Sequence, residues 1–359
     1  MVNSSTIPCV VVVGSGSFAR SVCYSIATEF TVPARVIILA RDAGKAAEVA
    51  FVAAARAAVS ARPVEFDHRV ADLADGAAVA GILEESSPHV LVQCASYQSP
   101  YEHVTAPSAW TELLRTAGFG IALPLQAAPL LDVVETVHKV APDCLVVNAC
   151  FPDAVNPVLT EIGYPVLCGI GNISTISAAV AAEIGHENHG ELHLLAHHVH
   201  LHAPADAADE ARVWCDGTER HDVNDLLSRM RSIRRNELNG IGAHAAAKLL
   251  EALVTGATVD THVPAPLGLP GGYPVRVHDG RVELRLPDGI DTATAVAWNQ
   301  RMTALDGIDV DGDRVRLPEA INEHAPDLAD GFPVADLRQA CTRLLRLREE
   351  LRTKPCPPP

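Results

Sequence analysis

The chain has 359 residues, 48% hydrophobic and 20% charged, enough for two domains around a sizeable core. Its formal net charge of −16 excludes partners that need a basic surface, so neither nucleic acid nor an anionic membrane is expected. Nine cysteines lie scattered with no C-x-x-C pair, which reads as free thiols in a reducing cytoplasm. The opening MVNSSTIP lacks a basic-then-apolar leader pattern, and no apolar run reaches the ~18 residues of a membrane span. A cytoplasmic protein acting on a small molecule is the expectation.

Residues 9–13 (CVVVV) form an apolar, largely β-branched run suited to a central parallel strand. Gly14, Gly16 and Ala19 follow as G-x-G-x-x-A and open a segment with helical spacing at Val22, Cys23 and Ile26. Gly14 permits a tight turn, Gly16 lets the backbone approach a pyrophosphate, and Ala19 permits close helix–strand packing. The free N–H groups of the helix start favour an anion. This predicts a dinucleotide site, with Ser15, Ser17 and Phe18 completing its loop; the competing reading is a glycine-rich turn with no ligand.

Strand and helix then alternate. Residues 35–39 (RVIIL), 64–66, 89–94 and 144–147 read as strands, the last ending at Asn148; residues 43–58 and 77–85 read as helices, and 130–137 keep one-faced helical spacing. That order predicts an α/β fold, a doubly wound parallel sheet with ligands beyond the carboxyl ends of its strands. At the second strand tip, Ala40 stands where NAD-preferring sites carry Asp or Glu, and Arg41 follows. A small residue with a planar cation leaves room for a 2′-phosphate and would hold it, which favours NADP(H) over NAD(H). In the other reading Asp42 takes the ribose and Arg41 is solvated. Ser96 and Tyr97 follow the fourth strand at the cofactor edge.

Beyond Asn148 the pattern changes to antiparallel alternation at 191–195, 198–203, 275–277 and 282–286. A polar stretch at 204–235, a Pro/Gly-rich passage at 263–277 and helices at 243–253, 293–304 and 334–351 complete an α+β region. The final PCPPP cannot continue a helix. The predicted organisation is a Rossmann domain at 1–165, an α+β substrate domain at 166–350 and a disordered tail at 351–359.

Chemistry concentrates in two places. Asn148 would stand beside the nicotinamide, and Asn156-Pro157 begins a turn; turn chemistry alone is the plain alternative for either asparagine. Residues 185–203 hold seven of the sixteen histidines. His186, His189, His193 and His197 have helical metal-ligand spacing, but Gly185 and Gly190 interrupt such a helix. His198, His200 and His202 alternate as in a strand, ~7 Å apart along one face. No metal is expected, and His200 and His202 read as surface or interface residues. Moving a proton with a hydride calls for a group that titrates near neutrality. His189, between Asn188 and Gly190, is the candidate, with Asn188 and Asn156 positioning substrate; Glu187 is a weaker candidate and His198 the next histidine.

Taken together, G-x-G-x-x-A at 14–19, Asn156-Pro157 and NHG at 188–190 resemble the superfamily of lactate/malate dehydrogenases and NAD-dependent family 4 glycosidases, over residues 8 to about 305. The segment 262–275 looks like the passage before the last strands in both branches. The resemblance implies a nicotinamide cofactor, His189 as acid/base, Asn148 or Asn156 beside the nicotinamide, and a homodimer. The chain departs from both branches: residues 172–185 carry neither the Asp nor the Arg of the dehydrogenases. Gly171 replaces the metal-binding Cys of the glycosidases, with Cys168 three residues earlier. The expected function is an NAD(P)-dependent oxidoreductase acting on a small polar alcohol/carbonyl or amine/imine. Open alternatives are an NAD-dependent glycosidase-like lyase, an opine- or saccharopine-type dehydrogenase (mildly supported by ARDAGKA at 40–46), and a non-catalytic cofactor-sensing protein.

Overall fold

The computed structural model describes residues 7–185 and 191–356. Strands β1 (Cys9–Val13), β2 (Ala34–Ala40), β3 (Val64–Val70), β4 (Val90–Gln93), β5 (Leu145–Asn148) and β6 (Cys168–Gly169) form one sheet in the order β3-β2-β1-β4-β5-β6. Each neighbouring pair is parallel. The helices between them are α1 (Ser17–Glu29), α2 (Ala43–Val59), α3 (Gly76–Ser86), α4 (Glu102–Thr105), α5 (Ala109–Ala117), α6 (Leu123–Val140) and α7 (Pro152–Ile162). This is the doubly wound sheet the alternation predicts.

The strand period explains why both faces are covered. Val11, Val13, Leu39 and Leu91 belong to the core shared with α3 and α6, while Val10, Val12, Ile38 and Val92 belong to the core shared with α1 and α2. Strand order reverses between β1 and β4, whose register runs from Val10↔Val90 to Val13↔Gln93. Their carboxyl ends therefore flank the crevice at a topological switch point. β3 runs four residues beyond the expected 64–66, because an edge strand tolerates polar residues such as Asp67 and Arg69 on its open side.

After α8 (Asn172–Ile184), three small antiparallel sheets follow. The first holds β7 (Leu192–Leu195), β8 (Arg212–Cys215) and β9 (Thr218–Arg220). Helices α9 (Val223–Ser232) and α10 (Arg235–Thr255) precede β10 (Val259–Pro264), β11 (Gly272–His278) and β12 (Arg281–Leu284). Helix α11 (Thr292–Leu305), strands β13 (Asp309–Asp311), β14 (Arg314–Arg316) and β15 (Phe332–Pro333), and α12 (Leu337–Arg352) end the described chain.

Four expectations need correction. Residues 198–203 are not a strand: His198–Leu201 is a 3-10 turn. Imidazoles supply its cap, with His200 Nδ1 accepting the His197 N–H at 2.8 Å and His197 Nδ1 accepting the Val199 N–H. His200 is consequently buried instead of lying at the surface; its Nε2 donates to the Asp209 carbonyl at 2.8 Å, and its ring stacks on Trp298. The tail does not begin at 351, because Leu351 is the last core residue on the buried face of α12 and Arg352 pairs with the buried Glu102 at 2.6 Å. The sheet itself runs to Gly169, and the C-terminal segment from Ile308 to Leu351 returns to the core beneath α5 and α6.

The stretch Phe119–Val140 is long and apolar enough to cross a membrane, yet it is almost entirely buried inside this core. Its apolarity is what a central helix needs.

Candidate active site

A cleft of about 630 Å³ opens at the carboxyl ends of β1, β2, β4 and β5. Gly14 has φ of +114°, and a Cβ there would meet the Ala95 nitrogen at 3.2 Å, so only glycine lets the ends of β1 and β4 come this close. Gly16 is the extended N-cap of α1, and no side chain caps that helix. A Cβ on Gly16 would stand in open space. The first-turn amides thus border a hollow lined by Ser15, Ser17 and Phe18, a cradle that fits a pyrophosphate. Ala19 lies beneath it, buried between α1 and the sheet.

Ala40, Arg41, Asp42 and Lys45 line the end of the cleft at the tip of β2. Asp42 is occupied as the N-cap of α2, accepting the Lys45 N–H at 3.0 Å and pairing with Lys45 Nζ at 3.3 Å. Arg41 is exposed and forms no ion pair among the described residues. Ser96 and Tyr97 also line the cleft, the Ser96 hydroxyl donating to the Gln98 carbonyl at 2.8 Å.

The two asparagines read as ligand-facing lie elsewhere. Asn148 Nδ2 donates to Asn156 Oδ1 at 2.9 Å and to the Cys150 carbonyl, while Asn148 Oδ1 accepts the Cys150 N–H. Asn156 Nδ2 donates to the Ala265 carbonyl. Both are fully buried, and their polar atoms brace the turn from β5 into α7 instead of facing the cleft. His189, Asn188, Glu187 and His186 lie outside the described residues.

Among the described residues, the histidine that lines the cleft is His198. Its Nδ1 is 2.8 Å from Asp306 Oδ2, and its backbone N–H donates to Asp153 Oδ1 at 3.2 Å. Arg235 Nη2 stands 3.5 Å from His198 Nε2 and donates to Asn172 Oδ1 at 3.2 Å. Four separated elements converge here: the turn after β7, the C-cap of α11, the first residue of α10 and the start of α8. Nearby, Asn239 Nδ2 donates to Tyr101 Oη at 2.8 Å. The available local signal for His198 was the apolar run LHLLA leading into His197-His198. Nothing local marked Asp306 or Arg235.

Electrostatics separate the groups. Burial pushes the Arg235 pKa down, and the cation has no carboxylate ion-pair partner among the described residues. Burial pushes Asp153 up to about 6, against the pull of His198. The thiols of Cys94 and Cys150, also in the cleft wall, are pushed up by burial, Cys150 to about 12, so neither is a thiolate near neutrality. Among the described residues no group of three or more His, Cys, Asp or Glu could hold a metal ion.

No protein-family model and no curated protein matches this chain. Among solved structures it is similar to the lactate dehydrogenase of Cryptosporidium parvum, at 15% identity and a TM-score of 0.58, covering 84% of this chain and 98% of that one. It is similar to the malate dehydrogenase of Picrophilus torridus, at 14% identity and a TM-score of 0.58, covering 83% and 95%. A 6-phospho-alpha-glucosidase from gut microorganisms, solved with NAD and glucose-6-phosphate, is similar at 11% identity and a TM-score of 0.59, covering 96% and 97%. The chain therefore has the fold shared by these lactate and malate dehydrogenases and this glucosidase.

Proposed function

We propose that this chain is an oxidoreductase using a nicotinamide dinucleotide, with His198 as the proton-transfer group. One observation carries the reading: the phosphate cradle at Gly14–Gly16 shares a single cleft with His198 and Arg235, and the buried Asp306 holds His198 from behind. When bound, the nicotinamide supplies or accepts the hydride. With the proton on Nδ1 donated to the Asp306 carboxylate, Nε2 of His198 is left to take a proton from an alcohol or amine and return it to a carbonyl or imine. Arg235 beside Nε2 is suited to polarise the reacting oxygen or pair with an anionic substituent, and its burial strengthens either interaction. Asn172 holds the guanidinium fork. Helix α10 thus supplies a cation of the kind that residues 172–185 lack.

Net change in nicotinamide absorbance with hydroxy- or amino-acid substrates tests this reading. Cleavage of a glycosidic bond without net change would replace it with the lyase alternative.

For the cofactor, engagement of Asp42 by Lys45 and an Arg41 with no ion pair among the described residues support NADP(H). The second reading is NAD(H), favoured by the glucosidase of the same fold solved with NAD. Fluorescence titration is expected to give NADPH the higher affinity, and Arg41→Ala to weaken NADPH by about tenfold with NADH unchanged, the scale of one charge-assisted phosphate contact. Equal affinities in the parent protein would leave NAD(H) as the cofactor.

A further inference from the structure

We infer that Phe119 and Phe151 form an apolar seat beside His198 and select a substrate whose reacting carbon carries a bulky apolar substituent. The inference rests on the role proposed for His198 and deepens it. The two phenyl rings meet edge to face at 5.4 Å and 81°. The His198 imidazole lies 5.9 Å from the Phe119 ring and 5.4 Å from the Phe151 ring, and all three side chains line the cleft. A group delivered to Nε2 of His198 therefore has Arg235 and Asn172 on offer for its polar part and phenyl rings for the remainder. An anionic substituent against those rings would lose its water without gaining a partner, whereas an apolar one gains from burial.

The backbone is shaped to keep the rings there. Phe151 has φ of +48°, a left-handed conformation that glycine or asparagine adopts far more readily than phenylalanine. Its side chain makes no capping bond to α7; its buried ring packs in the core and borders the cleft beside His198. Phe119 stands between Gly118, with φ of +91°, and Gly120, where a Cβ would come within 2.6 Å of the Asp306 carbonyl oxygen. The Gly120 N–H donates to that same carbonyl at 3.0 Å. One backbone contact thus fixes both the Phe119 ring and the residue whose carboxylate holds His198.

The test is calorimetric titration of the full chain, saturated with NADPH, with phenylacetate, acetate and succinate. Phenylacetate is expected to bind roughly tenfold or more tightly than acetate, and succinate no more tightly than acetate. Phe119→Ala should shrink the phenylacetate preference to about threefold or less and leave the acetate Kd within about twofold. Equal Kd values for phenylacetate and acetate, no binding by any of the three, or a preference that survives in Phe119→Ala would each overturn the inference. Should Phe119→Ala not fold, the parent preference decides alone. Arg235→Gln separates the two readings: loss of all three acids alike supports the anion role of Arg235, and unchanged affinities remove that role while the phenylacetate preference still reports the seat. If NADPH fails to bind, the titration is run with NADH instead; if neither binds, the oxidoreductase reading falls, and the same titration of the free protein decides the seat.

Discussion

Replacing His198 with asparagine is expected to lower turnover by roughly 10²- to 10⁴-fold while NADPH affinity stays within about twofold, because removing a general acid/base spares cofactor binding. Asparagine can still donate to Asp306, so the turn after β7 should keep its shape. Asp306→Asn should cost turnover about 10²-fold, because an amide no longer stabilises a protonated imidazole or selects its tautomer. Steady-state rates and a cofactor titration on each variant check this. The same pair of measurements on His189→Asn discriminates between the two histidines: whichever replacement gives the larger loss of kcat carries the proton. A His198 variant with parental kcat would remove His198 from the chemistry.

Acidification from about pH 7.5 to about pH 5 is expected to cost the folded state about 3 kcal/mol. His197 and His262 are buried, and desolvation pushes both down to about 3. Unfolded histidine binds a proton near pH ~6.5. Below that pH the unfolded chain takes up protons that the folded chain refuses, so stability falls as pH falls. At about 1.4 kcal/mol per pH unit for each group, a drop of about 1.5 units below 6.5 costs roughly 4 kcal/mol for the pair. Asp153 acts in the opposite sense, since its pKa is raised to about 6 and the folded chain binds that proton first. It returns roughly 1.4 kcal/mol as pH falls from about 6 to about 5. Urea unfolding at both pH values measures the difference, and His262→Gln should remove about half of the histidine contribution. A stability independent of pH across this window would mean that these imidazoles are protonated inside the fold.

The cofactor half of the molecule was legible because its determinants are local. Five apolar residues, two glycines and a small residue within 9–19 specify strand, turn and helix through neighbours a few positions apart. Asn148 and Asn156 read from the sequence as ligand-facing because a polar residue at a strand tip has two uses. Whether its amide faces a ligand or satisfies a buried turn depends on contacts to Cys150 and to Ala265, the latter more than a hundred residues away from Asn156. The alternation in His198, His200 and His202 suggested a strand, but imidazole nitrogens capped the chain into a 3-10 turn first.

By itself the sequence determined the parallel sheet, the phosphate loop and the small-residue-plus-arginine ending of β2, since each is written in residues adjacent along the chain. Tertiary structure alone decided which histidine meets a carboxylate, that α10 brings an arginine to it, and that Gly118 and Gly120 carry Phe119 to the same place. His198, Arg235 and Phe119 come from distant parts of the chain, and only packing of the second region against the sheet brings them into one cleft, with Asp306 buried behind His198. The phosphate cradle is local chemistry, and the reacting end of the cleft is a product of the fold.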